Sequence, residues 1–409
     1  MRISTLSIYG NATSQLNTLQ SALARTQLQL STNRRILTPA DDPVASARAL
    51  EVSQSKSMNE GFATNRASAR SSLAAVEGSL QNAGDLLQDI QELAISAGNG
   101  TMLPQDREAL AIELEGRLED LLGVANTTDG AGGFLFSGYK ATTQPFTRTP
   151  GGAAYQGDQG QRQLQVAASR KMPLSASGSA VFEANPTGNG SFQTQAGATN
   201  TGAAIISSGA VVDRAQVNAG RDYKLTFAVT GTPAVTTYSV VDTTTGTDVA
   251  VPGQTAITYE AGKTISFGGL SFDIKGDPAN GDTFTAKPSE KQSVFTTVTD
   301  LIAALRAPVD GSSGKAALTN KLNTAIDNLK GAHDNVLTVQ ASVGAHMKEL
   351  DYLDSAGDDL DIQYSTTLGD LQDLDMVKAI SDFSMQQTTL QAAQMSFKTM
   401  SGLSLFNYL

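Results

Sequence analysis

The chain has 409 residues, no cysteine, no tryptophan and a formal net charge of −11. Without cysteine there is no disulfide framework, thiolate metal site or thiol nucleophile, and the acidic balance argues against nucleic-acid binding, which needs clustered Lys and Arg to meet phosphates. An aromatic content of 6% is thin for a large enzyme core and suits long Ala/Leu/Gln helices.

Residues 1–35 read as one helix. Tyr9, Ala12, Leu16, Leu19, Leu23, Thr26 and Leu30 recur every three or four residues. They form a narrow stripe, two positions per heptad, that suits a coiled-coil seam better than a globular core. Pro39 and Pro43 bias the residues before them away from the helical region, so the helix breaks over 36–43. Asp42-Pro43 restarts it, with the carboxylate as N-cap and proline at the first helical position. The second helix is expected from about Val44 to Ala97, with Leu73, Val76, Leu80, Ala83, Leu87, Ile90 and Ala94 on one stripe. Gly98-Asn99-Gly100 ends it with residues that accept left-handed backbone. A helix of about 50 residues extends about 75 Å, which is a rod rather than a compact enzyme domain. A third helix starts near Pro104, carries Leu110, Leu114, Leu118, Leu121 and Ala125, and closes at Asp129–Gly133. Phe134–Tyr139 is short, apolar and turn-bounded, and reads as a strand or as part of a hairpin over 134–146.

From about Leu174 to Lys287 the period changes to two. Tyr223, Leu225, Phe227 and Val229 alternate with polar or small residues. Thr264–Phe267 and Leu270, Phe272 and Ile274 do the same across Gly268-Gly269. This is antiparallel β patterning with glycine turns, and it reads as a separate, exposed β domain. Helix returns near Gln292, with Val294, Val298, Leu301, Ile302 and Leu305 on one stripe, then Leu318, Leu322, Ala325, Leu329, Val336, Val339 and Val343 on another. It continues to about Leu403 with a joint expected around Ser355-Ala356-Gly357. Along the last stretch Met376, Ile380, Phe383, Gln387, Leu390, Gln394 and Phe397 repeat the seam spacing of the N-terminus. Gln387 and Gln394 stand where Leu would make a stable coil. Polar seam residues cost stability and set register or partner, so this helix is marginal alone and orders on association.

Charge supports pairing of the two ends. Residues 1–40 hold Arg2, Arg25, Arg34 and Arg35 and no carboxylate, whereas residues 349–409 hold ten carboxylates against Lys378 and Lys398. Opposite signs favour this pair over self-pairing of the C-terminal segment. The fold class expected is therefore mainly α with an inserted β domain, the long N- and C-terminal helices pairing as a coiled coil or bundle.

No catalytic constellation assembles. His333 and His346 are the two histidines, thirteen apart, with no His or Cys at ligand spacing. Asp354, Asp358, Asp359 and Asp361 lack the glycine and terminal Glu of a calcium loop. Gly130–Gly133 lacks the Lys-Ser/Thr of a phosphate loop and follows a helix, and no Gly-x-Ser-x-Gly elbow is present. The β domain has no histidine, and Asp213, Asp222, Asp242, Asp248 and Asp273 are scattered beside turns. Neither an enzyme nor a cofactor is expected. No segment approaches the roughly 20 apolar residues that span a bilayer. Met1–Leu6 opens no apolar run long enough for a secretory signal peptide, so any export is expected by a route without a cleaved one.

Several stretches coincide with one family. Leu30–Ala45, with Asp41-Asp42-Pro43 at its centre, resembles the N-terminal signature of the flagellin superfamily. Gly133–Tyr139 followed by Pro145-Phe146 is similar to that family's segment after the third helix. Asp282–Thr285 followed by Gln292–Phe295 is similar to its re-entry from the β insert, and Ser404–Leu409 fits its C-terminus. The likeness covers roughly residues 1–150 and 280–409 and leaves the middle unmatched. It implies a structural subunit of the bacterial flagellum, secreted unfolded through the flagellar type III channel with a cytoplasmic chaperone. It further implies an inner tube from 1–40 and 350–409 (D0-like), a helical rod layer from 41–173 and 288–349 with the 134–146 hairpin (D1-like), and an outer β domain over 174–287 (D2-like). The Asp-Asp-Pro form points to the hook-associated members, at the hook–filament junction. The partners implied are copies of itself, the first hook-associated protein and flagellin, with no nucleic acid and no membrane. The assembly interface is expected at Leu16, Leu19, Leu23, Leu30, Arg34, Arg35, Ile380, Phe383, Gln387, Leu390, Gln394, Phe397, Leu405 and Phe406. Two other readings stay open: a flagellin filament subunit, and an adhesin-like surface protein that binds through the β domain.

Overall fold

Three helices open the chain: α1 (Thr5–Thr32), α2 (Pro43–Ala97) and α3 (Pro104–Ala125). The computed structural model describes residues 5–402 except 131, 218–219 and 250–255. Eight strands follow, β1 (Phe146–Thr149), β2 (Gly152–Tyr155), β3 (Gln163–Ala167), β4 (Arg170–Pro173), β5 (Asn185–Pro186), β6 (Phe192–Ala196), β7 (Ile205–Ile206) and β8 (Ala210–Val211), with a π-helical turn at Ser179–Glu183. After the short α4 (Arg214–Val217) come β9 (Tyr223–Thr230), β10 (Val235–Asp242), β11 (Thr247–Asp248), β12 (Ile257–Thr258), β13 (Thr264–Phe267), β14 (Leu270–Lys275), β15 (Thr283–Pro288) and β16 (Lys291–Gln292). The chain closes with α5 (Val294–Arg306), α6 (Gly311–Gln372) and α7 (Met376–Gly402). This is the expected class, long terminal helices around a central antiparallel β region. No helix among the described residues is long and apolar enough to cross a membrane.

Local chemistry sets the helix ends. Asn33 takes left-handed backbone at φ 53°, and the Arg34 N–H donates to Gln29 O at 3.2 Å, the six-to-one bond that stops α1. Asp42 Oδ1 accepts the Ala45 N–H at 3.0 Å and so caps α2 just before Pro43. The Gly98-Asn99-Gly100 stop works differently from expectation, because none of the three takes left-handed backbone. Instead the Gly98 N–H donates to Ile95 O and the Asn99 N–H to Ser96 O, tightening the last turn. At α3, Asp106 accepts the Leu103 N–H at 3.0 Å, ahead of Pro104.

Two expectations are corrected. Residues 134–145 make turns and one isolated bridge, Thr128 with Phe134, and the hairpin is β1–β2 at Phe146–Tyr155. The apolar run at 134–136 signals burial instead, with Leu135 and Phe136 inside the core. Helix α6 also runs unbroken through Ser355-Ala356-Gly357, and the joint lies at 373–375. Gly357 sits inside the helix, its carbonyl accepting from Asn59 Nδ2 at 2.7 Å. Asp375 Oδ1 accepts the Lys378 N–H at 3.0 Å and starts α7.

The chain folds as two compact units, Met1–Thr64 with Tyr352–Leu409, and Asn65–Asp351. In the second unit the helical core comes from the stripes read in the sequence. Leu73, Val76, Leu80, Leu87 and Ile90 of α2 are buried, as are Leu114, Leu118 and Leu121 of α3 and Val294, Val298, Leu301 and Leu305 of α5. Arg306 ties α5 to α3, its Nη1 at 2.7 Å from Glu115 and its Nη2 at 2.9 Å from Glu108. An aromatic cluster stands beside them. Phe146 packs on Phe295 (centroids 5.0 Å), Tyr155 and Phe182, and Phe182 packs edge-on to Phe136. Thus Phe136, Phe146 and Phe295, from three separate family-like segments, meet in one place. The β1–β2 turn lies so close to α5 that a side chain at Gly152 would strike the Phe295 backbone, at a φ of 121° that also favours glycine.

The β lobe is two antiparallel sheets, β11-β10-β9-β15-β6 with β12 also on β10, and β13-β14-β7 with β8 on β14. Tyr223, Leu225 and Phe227 point into its core with Phe192, Phe267, Phe272, Ile274 and Phe284. Gly268 and Gly269, at φ 54° and 81°, form the turn that joins β13 to β14. Three asparagines on one face of α6 dock the lobe. Asn320 Oδ1 accepts the Ile206 N–H, Asn328 Oδ1 accepts the Gly188 N–H, and Asn335 Nδ2 donates to the Ala180 and Val181 carbonyls.

Candidate assembly interface

In the first unit α1 and α7 pack against each other, with Tyr9 edge-on to Phe397 (centroids 5.9 Å) and Thr26 Oγ1 donating to Gln386 Oε1 at 2.9 Å. The pairing is antiparallel, because the order of contacts reverses. On α1 the less exposed positions include Ala12, Leu16, Leu19, Leu23, Thr26 and Leu30, the stripe read in the sequence. On α7 they are Ala379, Phe383, Gln386, Leu390, Ala393 and Phe397, spaced four and three. Phe383, Leu390 and Phe397 are therefore on the seam, but Ile380, Gln387 and Gln394 are exposed beside it. The polar seam residue is Gln386, not its neighbour. Two heptad phases fit Phe383, Leu390 and Phe397 equally, and the small residues Ala379 and Ala393 were the signal that separated them. Small side chains allow close helix approach. Leu405 and Phe406, with Ser404–Leu409, lie outside the described residues.

The joint is built by Arg34 and Arg35. The Arg35 N–H donates to Gln372 O at 2.7 Å, the Leu374 N–H to Asn33 O at 3.3 Å, and Arg35 Nη2 to Leu371 O at 2.7 Å. A two-residue backbone bridge, Arg34 with Asp373, thus holds the start of α7 beside the end of α1. Charge plays a more local part than the sequence suggested. Arg25 pairs with Asp41 at 2.8 Å and Arg35 with Asp42 at 3.4 Å, both within the N-terminal segment. Hydrogen bonds from Thr38 and Leu37 N–H, then the Arg25 charge, hold the Asp41 carboxyl below its ordinary range. Asp42 is lowered chiefly by the Ala45 N–H. A short loop keeps these carboxylates within reach at little entropic cost. Across the unit, Lys56 meets Asp361 at 3.3 Å.

Burial separates this unit from the rest of the chain. Its buried residues are Thr26, Ala45, Ala49, Gly357 and Ala379, so no described side chain larger than threonine is fully inside. Leu28, Val44, Leu50, Met58, Ile362, Val377, Ile380, Met385 and Met395 are each more than half exposed. At about 25 cal/mol per Å² of apolar surface, such a seam stabilises the pair weakly and leaves most of the apolar area unsatisfied. The arrangement can offer a second polypeptide an extended apolar helical surface. Among the described residues no group of His, Cys, Asp and Glu is arranged to hold a metal ion.

Paired terminal helices with a starved core, around a well-packed middle, define a flagellin-like structural protein, and similarity agrees. The profile of the bacterial flagellin N-terminal helical region matches residues 3–141. Flagellar hook-associated protein 3 of Escherichia coli (strain K12) is 28% identical over 407 residues, covering 99% of both chains. The crystal structure of the flagellar junction protein FlgL from Legionella pneumophila is 34% identical, with TM-score 0.72, over 80% of this chain and 100% of that one. Flagellin of Salmonella budapest is 28% identical over 75% of this chain and 63% of its own. The chain belongs to the flagellar hook-associated protein 3 (FlgL) family.

Proposed function

We propose that the protein is the structural subunit that joins the hook to the flagellin filament. The observation that carries this reading is the contrast in burial: among its described residues the unit made by the two chain ends has no large buried side chain, yet exposes a run of leucines, isoleucines and methionines. A surface of that kind gains its burial from neighbours. The likeness to hook-associated protein 3 over nearly the whole of both chains favours the junction over the filament, since flagellin matches a smaller share of each.

In this reading residues 1–40 and 350–409 form the inner tube, 41–173 and 288–349 the surrounding layer, and 174–287 the outer lobe. The expected interface residues on α1 and α7, with Leu405 and Phe406, then bury against sister subunits, the first hook-associated protein on one side and flagellin on the other. Export unfolded through the flagellar type III channel, with a cytoplasmic chaperone, fits a terminal unit that costs little to unfold. The test is electron microscopy of cells that lack the protein. Hooks without filaments, and unassembled flagellin in the medium, are expected. Cells with normal filaments would refute the reading, and an adhesin role would instead leave filaments intact while abolishing surface attachment.

A further inference from the structure

The chain has nine methionines and no cysteine, so thioethers are its only reduced sulfur. Their distribution is uneven. Met172 is buried in β4, whereas Met376, Met385, Met395 and Met400 all lie on α7 and are exposed. Among the described methionines Met385 and Met395 are the most accessible, each about two-thirds exposed. Both stand off the face that Ala379, Phe383, Gln386, Leu390, Ala393 and Phe397 turn toward α1. At about 100° per residue, Met395 is nearly opposite that seam.

We propose that Met385 and Met395 are an oxidation site, at which a hydroperoxide converts both thioethers to sulfoxides and disables α7 for docking on a second copy of this chain. The docking consequence rests on the assembly reading above. In the chemical step a sulfur lone pair attacks the nearer peroxide oxygen. The S–O bond forms as the O–O bond breaks. The departing oxygen keeps the bond pair and, once it takes up the proton from the oxygen now on sulfur, leaves as water from hydrogen peroxide or as an alcohol from an organic hydroperoxide. Sulfur is oxidised by two electrons and the peroxide is reduced by two.

Exposure controls which sulfur reacts, because a peroxide must reach it. The consequence follows from what methionine does at an interface. Its flexible, polarizable chain adapts to an apolar neighbour. A sulfoxide is polar and chiral, and burying it without a donor leaves an unmet acceptor. The subunit itself is spared, since both side chains are about two-thirds exposed and stand off the seam with α1.

The test treats the full-length subunit with hydrogen peroxide and maps sulfoxides by peptide mass spectrometry. Met385 and Met395 are expected to oxidise at least tenfold faster than Met172, and equal rates would overturn the site. Oxidised and untreated protein are then added to cells that lack it, and restored filaments are counted. At least fivefold fewer filaments are expected from oxidised protein, with recovery after enzymatic sulfoxide reduction, whereas peroxide should lower restoration by a Met385→Leu/Met395→Leu variant less than twofold relative to the same variant untreated. Equal restoration by oxidised and untreated protein overturns the inference and leaves the junction reading standing. Failure of the untreated protein to restore filaments overturns the junction reading and, with it, the docking consequence.

Discussion

Asp282 shows how much one side chain of a family-like segment can carry. Its carboxylate is buried and accepts three backbone N–H groups, from Thr201 at 2.8 Å, Gly202 at 3.0 Å and Ala279 at 2.8 Å. It thereby locks the loop before β7 to the turn that leads into β15, where the chain returns from the lobe to the helices. Removing the carboxylate takes away the protein acceptor of three backbone N–H groups. Asp282→Ala is expected to cost about 3 kcal/mol, read as a lower denaturant midpoint for the second unit. An unchanged midpoint would show that the loops do not depend on this residue. Asp282 was visible in the sequence as part of a resemblance, but two of its three partners, Thr201 and Gly202, lie about 80 residues away along the chain. No local pattern discloses them. Phe182 is the same case: a lone phenylalanine in the sequence, and the centre of the aromatic cluster in space.

Among elements, the α3–α5 contact carries a pH signature. Hydrogen bonds from Arg306 hold the Glu115 carboxyl below its ordinary value of 4.5. A carboxylate lowered on folding adds stability that is complete above its unfolded pKa and disappears as pH falls through the folded one. Arg306→Ala should therefore lower Tm at pH 7, modestly because the groups are partly exposed. The gap from the wild type should close as the pH is taken down below the ordinary glutamate value of 4.5. A gap that persists in acid would mean that Arg306 acts through packing of its stem. Helix positions themselves were legible, because a 3.6-residue period, prolines and caps are local. The heptad phase of α7 was not. Met376–Ile380 and Ala379–Phe383 start equally good stripes, and only the presence of α1 along one of them chooses. The Phe134–Phe136 run misled for a related reason, since an apolar triplet reports burial without saying which backbone delivers it.

At the scale of the molecule the two units differ in kind. The second buries leucines, phenylalanines and isoleucines in quantity, and among its described residues the first buries nothing larger than Thr26. Hydrogen exchange should follow. Amides of α1 and α7 in the free subunit are expected to exchange at least a hundredfold faster than those of α3 and α5, and to become protected on assembly. Equal protection in the free subunit would remove the basis for an interface left incomplete. The sequence alone determined the order helix, β insert, helix, the seam on α1 and the want of a core at the ends, because these depend on period and composition. Tertiary structure decided the rest. It set the joint at 373–375, the phase of the α7 seam, the meeting of three phenylalanines around Phe182, and the pairing of Arg25 and Arg35 with Asp41 and Asp42 of their own segment. Each of these depends on residues far apart in sequence, or on a choice between equally good local patterns that only a packed neighbour can make.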